Sequence, residues 1–168
     1  QPTAGGPAAR LLAAEGDDLQ PTWSPDGTRL AFLAERGGRL AVHSIARDGS
    51  GERTTWRPAA GTGEDLVPEQ GLAWSPSGDA LAVVVRRADG RPDVRLIDAR
   101  RGRVLAHAGG LDAAETPAWL PDGTGVVLAS DAGATPGLHR LSRDGQVTPL
   151  TTGPGWLPRV LQDEPGSP

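Results

Sequence analysis

Pro21-Thr22-Trp23-Ser24-Pro25-Asp26-Gly27-Thr28-Arg29-Leu30-Ala31-Phe32 is written three times in this chain. It returns as Gly71-Leu72-Ala73-Trp74-Ser75-Pro76-Ser77-Gly78-Asp79-Ala80-Leu81-Ala82, and again as Thr116-Pro117-Ala118-Trp119-Leu120-Pro121-Asp122-Gly123-Thr124-Gly125-Val126-Val127. The tryptophans recur about 50 and then about 45 residues apart, close to the length of a four-stranded propeller blade. Within each copy, Pro25, Pro76 and Pro121 preset φ for a tight turn. Asp26 and Asp122 can bond their own backbone, and Gly27, Gly78 and Gly123 take the positive φ that follows.

Each turn launches a short apolar run, at Leu30 to Leu33, Leu81 to Val85 and Val126 to Leu128, as expected of strands covered on both faces. Glycine-bearing breaks follow at Gly37-Gly38, Gly90 and Gly133 to Gly137, then second runs at Leu40 to Ile45, Val94 to Ile97 and Leu138 to Leu141. Asp48-Gly49, Arg101-Gly102 and Asp144-Gly145 turn the chain into outer strands near Glu52 to Thr55, Val104 to Ala106 and Val147 to Leu150. Each copy therefore supplies four strands, and the fold class is all-β, a propeller segment of about three four-stranded blades.

Working outward from the repeat, residues 1–9 read as a flexible segment and 10–16 as a remnant outer strand, with Arg10-Leu11-Leu12 resembling Thr148-Pro149-Leu150. Blades are expected over 17–56, 71–108 and 112–152. Between the first two, 57–70 with Pro58, Gly61, Gly63 and Pro68 reads as an inserted loop. Residues 153–168 read as the start of a further blade or a tail, because Trp156-Leu157-Pro158 repeats Trp119-Leu120-Pro121. A ring ordinarily needs four to eight blades. Three imply an incomplete ring, completed by the rest of a longer chain or by a homodimer. The first residue, Gln1, and the lack of any Met suggest a processed product or a piece of something longer.

The run Pro-x-Trp-Ser-Pro-Asp-Gly-x-x-Leu-Ala-Phe resembles the TolB-like (WD40-like, PD40-type) β-propeller repeat over about residues 10–152. Ser77 in place of the turn Asp, and Leu120 in place of the motif Ser, depart from that pattern. The resemblance implies a periplasmic, cell-surface or secreted protein of bacterial or lipoprotein type. It is compatible with a TolB-like scaffold and with the propellers that gate prolyl oligopeptidase-like peptidases.

Composition narrows the chemistry. A net charge of −4 opposes a nucleic-acid surface, and no apolar stretch approaches the length of a membrane-spanning helix. Cys and Tyr are absent, every basic residue is Arg, and neither a Gly-x-Ser-x-Gly elbow nor a phosphate loop occurs. His43 and His139 share one repeat position with Arg95, as packing residues would, and His107 stands alone. Asp26, Asp48, Asp122 and Asp144 are more simply explained by local backbone bonds than by calcium. No catalytic residue, metal or cofactor is expected.

The repeat column of Trp23, Trp74 and Trp119 is expected to pack between blades. Recognition is expected on the face holding the second-to-third-strand turns and the blade crossovers. It bears Glu35, Arg36, Arg39, Arg86, Arg87, Asp89 and Arg91, with acidic crossovers at Glu15, Asp17, Asp18, Glu64, Asp65, Asp112 and Glu115. Arg36, Arg39, Arg86, Arg87 and Arg91 are the candidate partner-binding residues. Trp56, at the start of the 57–70 stretch, joins them either as an exposed aromatic anchor for a partner or, with at least equal weight, as a cover for a blade edge. The reading is a noncatalytic scaffold for a protein or peptide. The alternatives are an accessory propeller of a larger enzyme and a small-ligand or carbohydrate binder using the central channel.

Overall fold

The computed structural model describes residues 16–109, 117–130 and 137–151. Among these residues, three antiparallel sheets follow one another without closing a ring. The first comprises β1 (Asp18–Trp23), β2 (Arg29–Arg36), β3 (Arg39–Ala46) and β4 (Arg53–Trp56) in sequential order. The second comprises β5 (Asp65–Leu66), β6 (Leu72–Trp74), β7 (Ala80–Arg86), β8 (Pro92–Asp98) and β9 (Val104–Gly109). The third comprises β10 (Ala118–Trp119), β11 (Gly125–Ser130), β12 (Gly137–Ser142) and β13 (Val147–Pro149). This is an incomplete β-propeller. Residues 10–12 and 156–158, expected as parts of neighbouring blades, lie outside the described residues, as do the segments 1–9 and 153–168.

The stretch 57–70 does more than loop between blades. Asp65 and Leu66 pair with Arg86 and Val85 of β7, so the innermost strand of the second sheet begins inside it. The chain steps out through a 3-10 turn at Pro68–Gln70 and rejoins β7 at Leu72. Burial explains the early start: Leu66 is an apolar side chain in the core between sheets, and Val67 N–H continues the ladder to the Val84 carbonyl. Pro68, lacking an N–H, then marks where pairing must stop.

The middle sheet is buried on both faces, which accounts for the unbroken run Ala80 to Val85. Leu81, Val83, Val85 and Ile97 meet Ala31, Leu33, Val42 and Trp56 of the first sheet. On the opposite face, Ala82, Val84, Val94 and Leu96 meet Val126, Leu128 and Leu141 of the third. Burying each leucine or isoleucine side chain contributes about 1.5–3 kcal/mol.

The repeat turns fold by their own hydrogen bonds. Asp26 Oδ1 accepts from Thr28 N–H at 3.0 Å, Asp122 Oδ1 from Thr124 N–H at 2.9 Å, and Asp48 Oδ1 from Ser50 N–H at 2.9 Å. In the second copy, where Ser77 replaces the Asp, the hydroxyls of Ser75 and Ser77 both donate to Asp79. In the third, Leu120 keeps the turn through backbone bonds alone, accepting from Gly123 N–H and donating to the Gly125 carbonyl.

Displacement of the second copy's carboxylate to Asp79 has an energetic consequence. Asp79 reaches the third sheet and receives both Arg143 amino groups, at 2.7 and 2.8 Å. That guanidinium, foremost among its neighbours, holds the Asp79 carboxyl far below its ordinary 3.8. A carboxyl depressed on folding contributes stability above the ordinary carboxylate range and loses it as pH falls through that range toward the folded value. The melting temperature of the parent chain is therefore expected to fall more steeply below about pH 4 than that of Asp79→Asn. Parallel pH curves for the two chains would show that this ion pair contributes nothing.

Candidate functional site

The seams between sheets are built by the repeat itself. Trp74 Nε1 donates to the Thr22 carbonyl of the first sheet at 3.1 Å, and Trp119 Nε1 donates to the Ala73 carbonyl of the second at 3.0 Å. In both cases the acceptor is the residue just before the preceding Trp, so the innermost strands are joined by one recurring bond. Pro25 of one turn lies against Gly78 of the next, and Pro76 against Gly123. Trp23 has no described sheet before it and is 47% exposed.

Strand direction separates two sets of loops. The turns after the first and third strands of each sheet touch one another, through Arg47 N–H to Thr28 O, Ala99 N–H to Asp79 O and Arg143 N–H to Thr124 O. The β2–β3 tip at Gly37-Gly38 and the β7–β8 tip at Asp89-Gly90 lie at the opposite end, with the start of β1. Both tips are exposed.

Of the expected partner-binding residues on that end, Arg39, Arg86 and Arg91 are exposed, with Arg39 also donating to the Pro58 carbonyl at 3.3 Å. Arg36 is engaged within the fold, paired with Asp18 at 2.7 Å and Glu52 at 3.2 Å. These carboxylates raise its affinity for its proton, Asp18 foremost. Arg87 pairs with Asp89 at 3.0 Å. Beside the first tip lies a cleft of about 420 Å³ lined by Gly16, Asp17, Leu19, Glu35, Gly38 and Leu40, among others.

Trp56 is not an exposed anchor. It lies in β4 opposite Val42, is 9% exposed, and packs in the seam between the first two sheets. The Arg95 guanidinium carbon sits 5.7 Å from the centre of its ring. Sequence spacing gave no hint of this, because Arg95 comes from another blade and is held from a third direction by Glu64 and by Asp93. Arg95 in turn lowers the Glu64 carboxyl below its ordinary value. The network ties the 57–70 stretch to β8, and His107 Nδ1 lies 3.5 Å from the buried Asp93.

The other two members of the Arg95 column, His43 and His139, are buried. His43 stacks on Phe32 with ring centroids 5.7 Å apart and lies 3.2 Å from Glu52. Burial foremost pushes its imidazole below its ordinary value. Among the described residues, no group of three or more His, Cys, Asp or Glu side chains is placed to hold a metal ion. The turn aspartates are saturated locally instead, their carboxyls lowered by neighbouring hydroxyls and amides.

Comparison with known proteins agrees with this architecture. The uncharacterized protein Atu1656 of Agrobacterium fabrum is 34% identical over 128 residues, which cover 70% of this chain and 41% of that protein. TolB from Acinetobacter baumannii matches with a TM-score of 0.60 at 21% identity, over 84% of this chain and 34% of its own. A putative dipeptidyl aminopeptidase IV from Bacteroides ovatus matches with a TM-score of 0.61 at 14% identity, over 80% and 27%. The chain thus spans less than half the length of each, and the two structural likenesses speak for the fold alone. A family model described as the lipoprotein LpqB β-propeller domain matches residues 19–134, from β1 past the end of β11. The chain belongs to that propeller family.

Proposed function

We propose that these TolB-like, WD40-like blades form a noncatalytic scaffold that binds a protein or peptide in the cell envelope. The observation that supports this reading is the end of the sheets bearing the Gly37-Gly38 and Asp89-Gly90 tips. Arg39, Arg86 and Arg91 are exposed beside these two tips, and the 420 Å³ cleft lies beside the first of them. Arginine suits bidentate contact with carboxylates, and loops on a rigid scaffold are where recognition ordinarily resides. The envelope location is supported by membership of a family of lipoprotein propeller domains. Completion of the ring, by the rest of a longer chain or by a second copy, belongs to the same proposal.

The test is selection from a random peptide display library on the parent chain, followed by titration of the selected peptides. Arg39→Glu, Arg86→Glu and Arg91→Glu together are expected to weaken binding about tenfold or more. Selected peptides that bind the triple variant as tightly as the parent would contradict the placement of the site.

A second reading keeps the same blades as an accessory or gating propeller of a prolyl oligopeptidase-like enzyme whose catalytic domain lies outside this chain. The fold likeness to a dipeptidyl aminopeptidase supports it. A hydrolase domain in the same open reading frame would favour this reading over the first.

A further inference from the structure

A cationic patch lies at the opposite end of the sheets from the hairpin tips, on the seam between the first and second. The turn joining β8 to β9 carries Arg100, Arg101 and Arg103, all exposed, with side-chain exposures of 79% for Arg101 and 69% for Arg103. Two further guanidiniums approach from the first sheet. Arg53 donates to the Ala99 and Arg100 carbonyls at 2.9 and 3.1 Å. Arg29 and Arg53 both donate to the Ser44 hydroxyl, at 3.1 and 3.4 Å. Burial, and then the charge of Arg53, push the Arg29 guanidinium below its ordinary value.

Little within the fold neutralises this group. Among the described residues, Asp98 is the one carboxylate within 4.0 Å of any of these five guanidiniums, and it meets Arg101 and Arg103 only at 3.7 and 4.0 Å. Asp98 is already committed to the backbone, accepting from Arg100 and Arg101 N–H at 2.9 and 2.8 Å. The turn is also anchored to the first sheet, since Gly102 packs against the Thr55 carbonyl with φ of +68° and Arg53 bonds the carbonyls of Ala99 and Arg100.

We propose that Arg100, Arg101 and Arg103, backed by Arg53 and Arg29, form a docking surface for an acidic peptide segment of a protein partner. Charge complementarity selects the occupant. Planar guanidiniums on an anchored turn match side-chain carboxylates bidentately. A long polyanion or an anionic bilayer, by contrast, must also meet the rest of a chain whose net charge is −4. This surface is separate from the Arg39, Arg86 and Arg91 end, and either can fail without the other.

The experiment titrates a fluorescein-labelled octaglutamate peptide into the parent chain at low salt and at about 0.15 M ionic strength. Binding that weakens with salt is expected. It should fall about tenfold or more in Arg100→Glu/Arg101→Glu/Arg103→Glu and remain unchanged in Arg57→Glu, an exposed arginine that belongs to neither surface. Arg101→Glu/Arg103→Glu, which leaves the residue beside the Arg53 contact intact, is the second variant and is expected to lose most of the same affinity. Absent binding at low salt would overturn the proposal. So would an equal loss in Arg57→Glu, or tighter binding of anionic lipid vesicles or a single-stranded oligonucleotide through the same arginines.

Discussion

Gly102→Val is expected to cost at least about 3 kcal/mol of unfolding free energy, measured as a shifted midpoint in urea with unchanged slope. Gly102 adopts φ of +68°, a region that L side chains, and β-branched ones above all, enter at a cost of about 1–2 kcal/mol. A Cβ built there would also overlap the Thr55 carbonyl oxygen. That oxygen has nowhere to retreat, since Thr55 is buried in β4 and its hydroxyl is bonded to Ser44 at 2.9 Å. Gly90 separates the two effects. Its φ is +81°, but a Cβ there would meet nothing within 4 Å, so Gly90→Val should show the conformational cost alone. Equal losses at the two positions would mean that the approach of the second sheet to the first at Thr55 is not as close as described.

Trp119→Ala is expected to cost about 3 kcal/mol, whereas the same change at Trp23 should cost less than about 1 kcal/mol. Trp119 packs against the core between the second and third sheets, with the Arg143 guanidinium carbon 5.1 Å from its ring centre. Its removal also takes the indole donor from the Ala73 carbonyl. Trp74→Ala should fall close to Trp119→Ala, through the Thr22 carbonyl and the other core. Trp23 occupies the same repeat position but is half-exposed, so little is lost with it in this chain. Thermal unfolding of the three variants checks the order, and a Trp23 variant as damaged as the other two would contradict the seam.

What was legible in the sequence is what repeats locally. Turn geometry, strand order and the apolar runs are encoded within a dozen residues of each Trp, so the three-bladed architecture could be read from Ser24-Pro25-Asp26-Gly27 and its echoes. The shared position of His43, Arg95 and His139 was visible for the same reason. Contacts between blades were not. Trp56 looked like a loop aromatic because nothing near it in sequence announces that Arg95, held by Glu64 and Asp93, will cover its ring. The stretch 57–70 read as a loop because its glycines and prolines mask the single apolar pair, Leu66 and Val67, that joins the sheet.

The candidate binding end was legible only in outline. Alternation of strands assigns Arg36, Arg39, Arg86, Arg87 and Arg91 to one end, but whether a given charge faces outward depends on partners distant in sequence. Asp18 and Glu52 draw Arg36 into the fold, while Asp89 engages Arg87 locally. The Arg100 to Arg103 patch escaped notice for the complementary reason. Its turn read as a plain hairpin connection, and Arg53 and Arg29 join it only across the seam.

The central claim is that one tryptophan-to-carbonyl bond recurs from blade to blade, at Trp74 and Trp119, and that Trp23 makes no such bond among the described residues. Hydrogen exchange of the five indole N–H groups, each assigned by Trp→Phe substitution, tests it most directly. The Trp74 and Trp119 indoles are expected to be protected against exchange, and the Trp23 indole to exchange readily. Rapid exchange at Trp74 or Trp119, or equal protection at Trp23, would contradict the account.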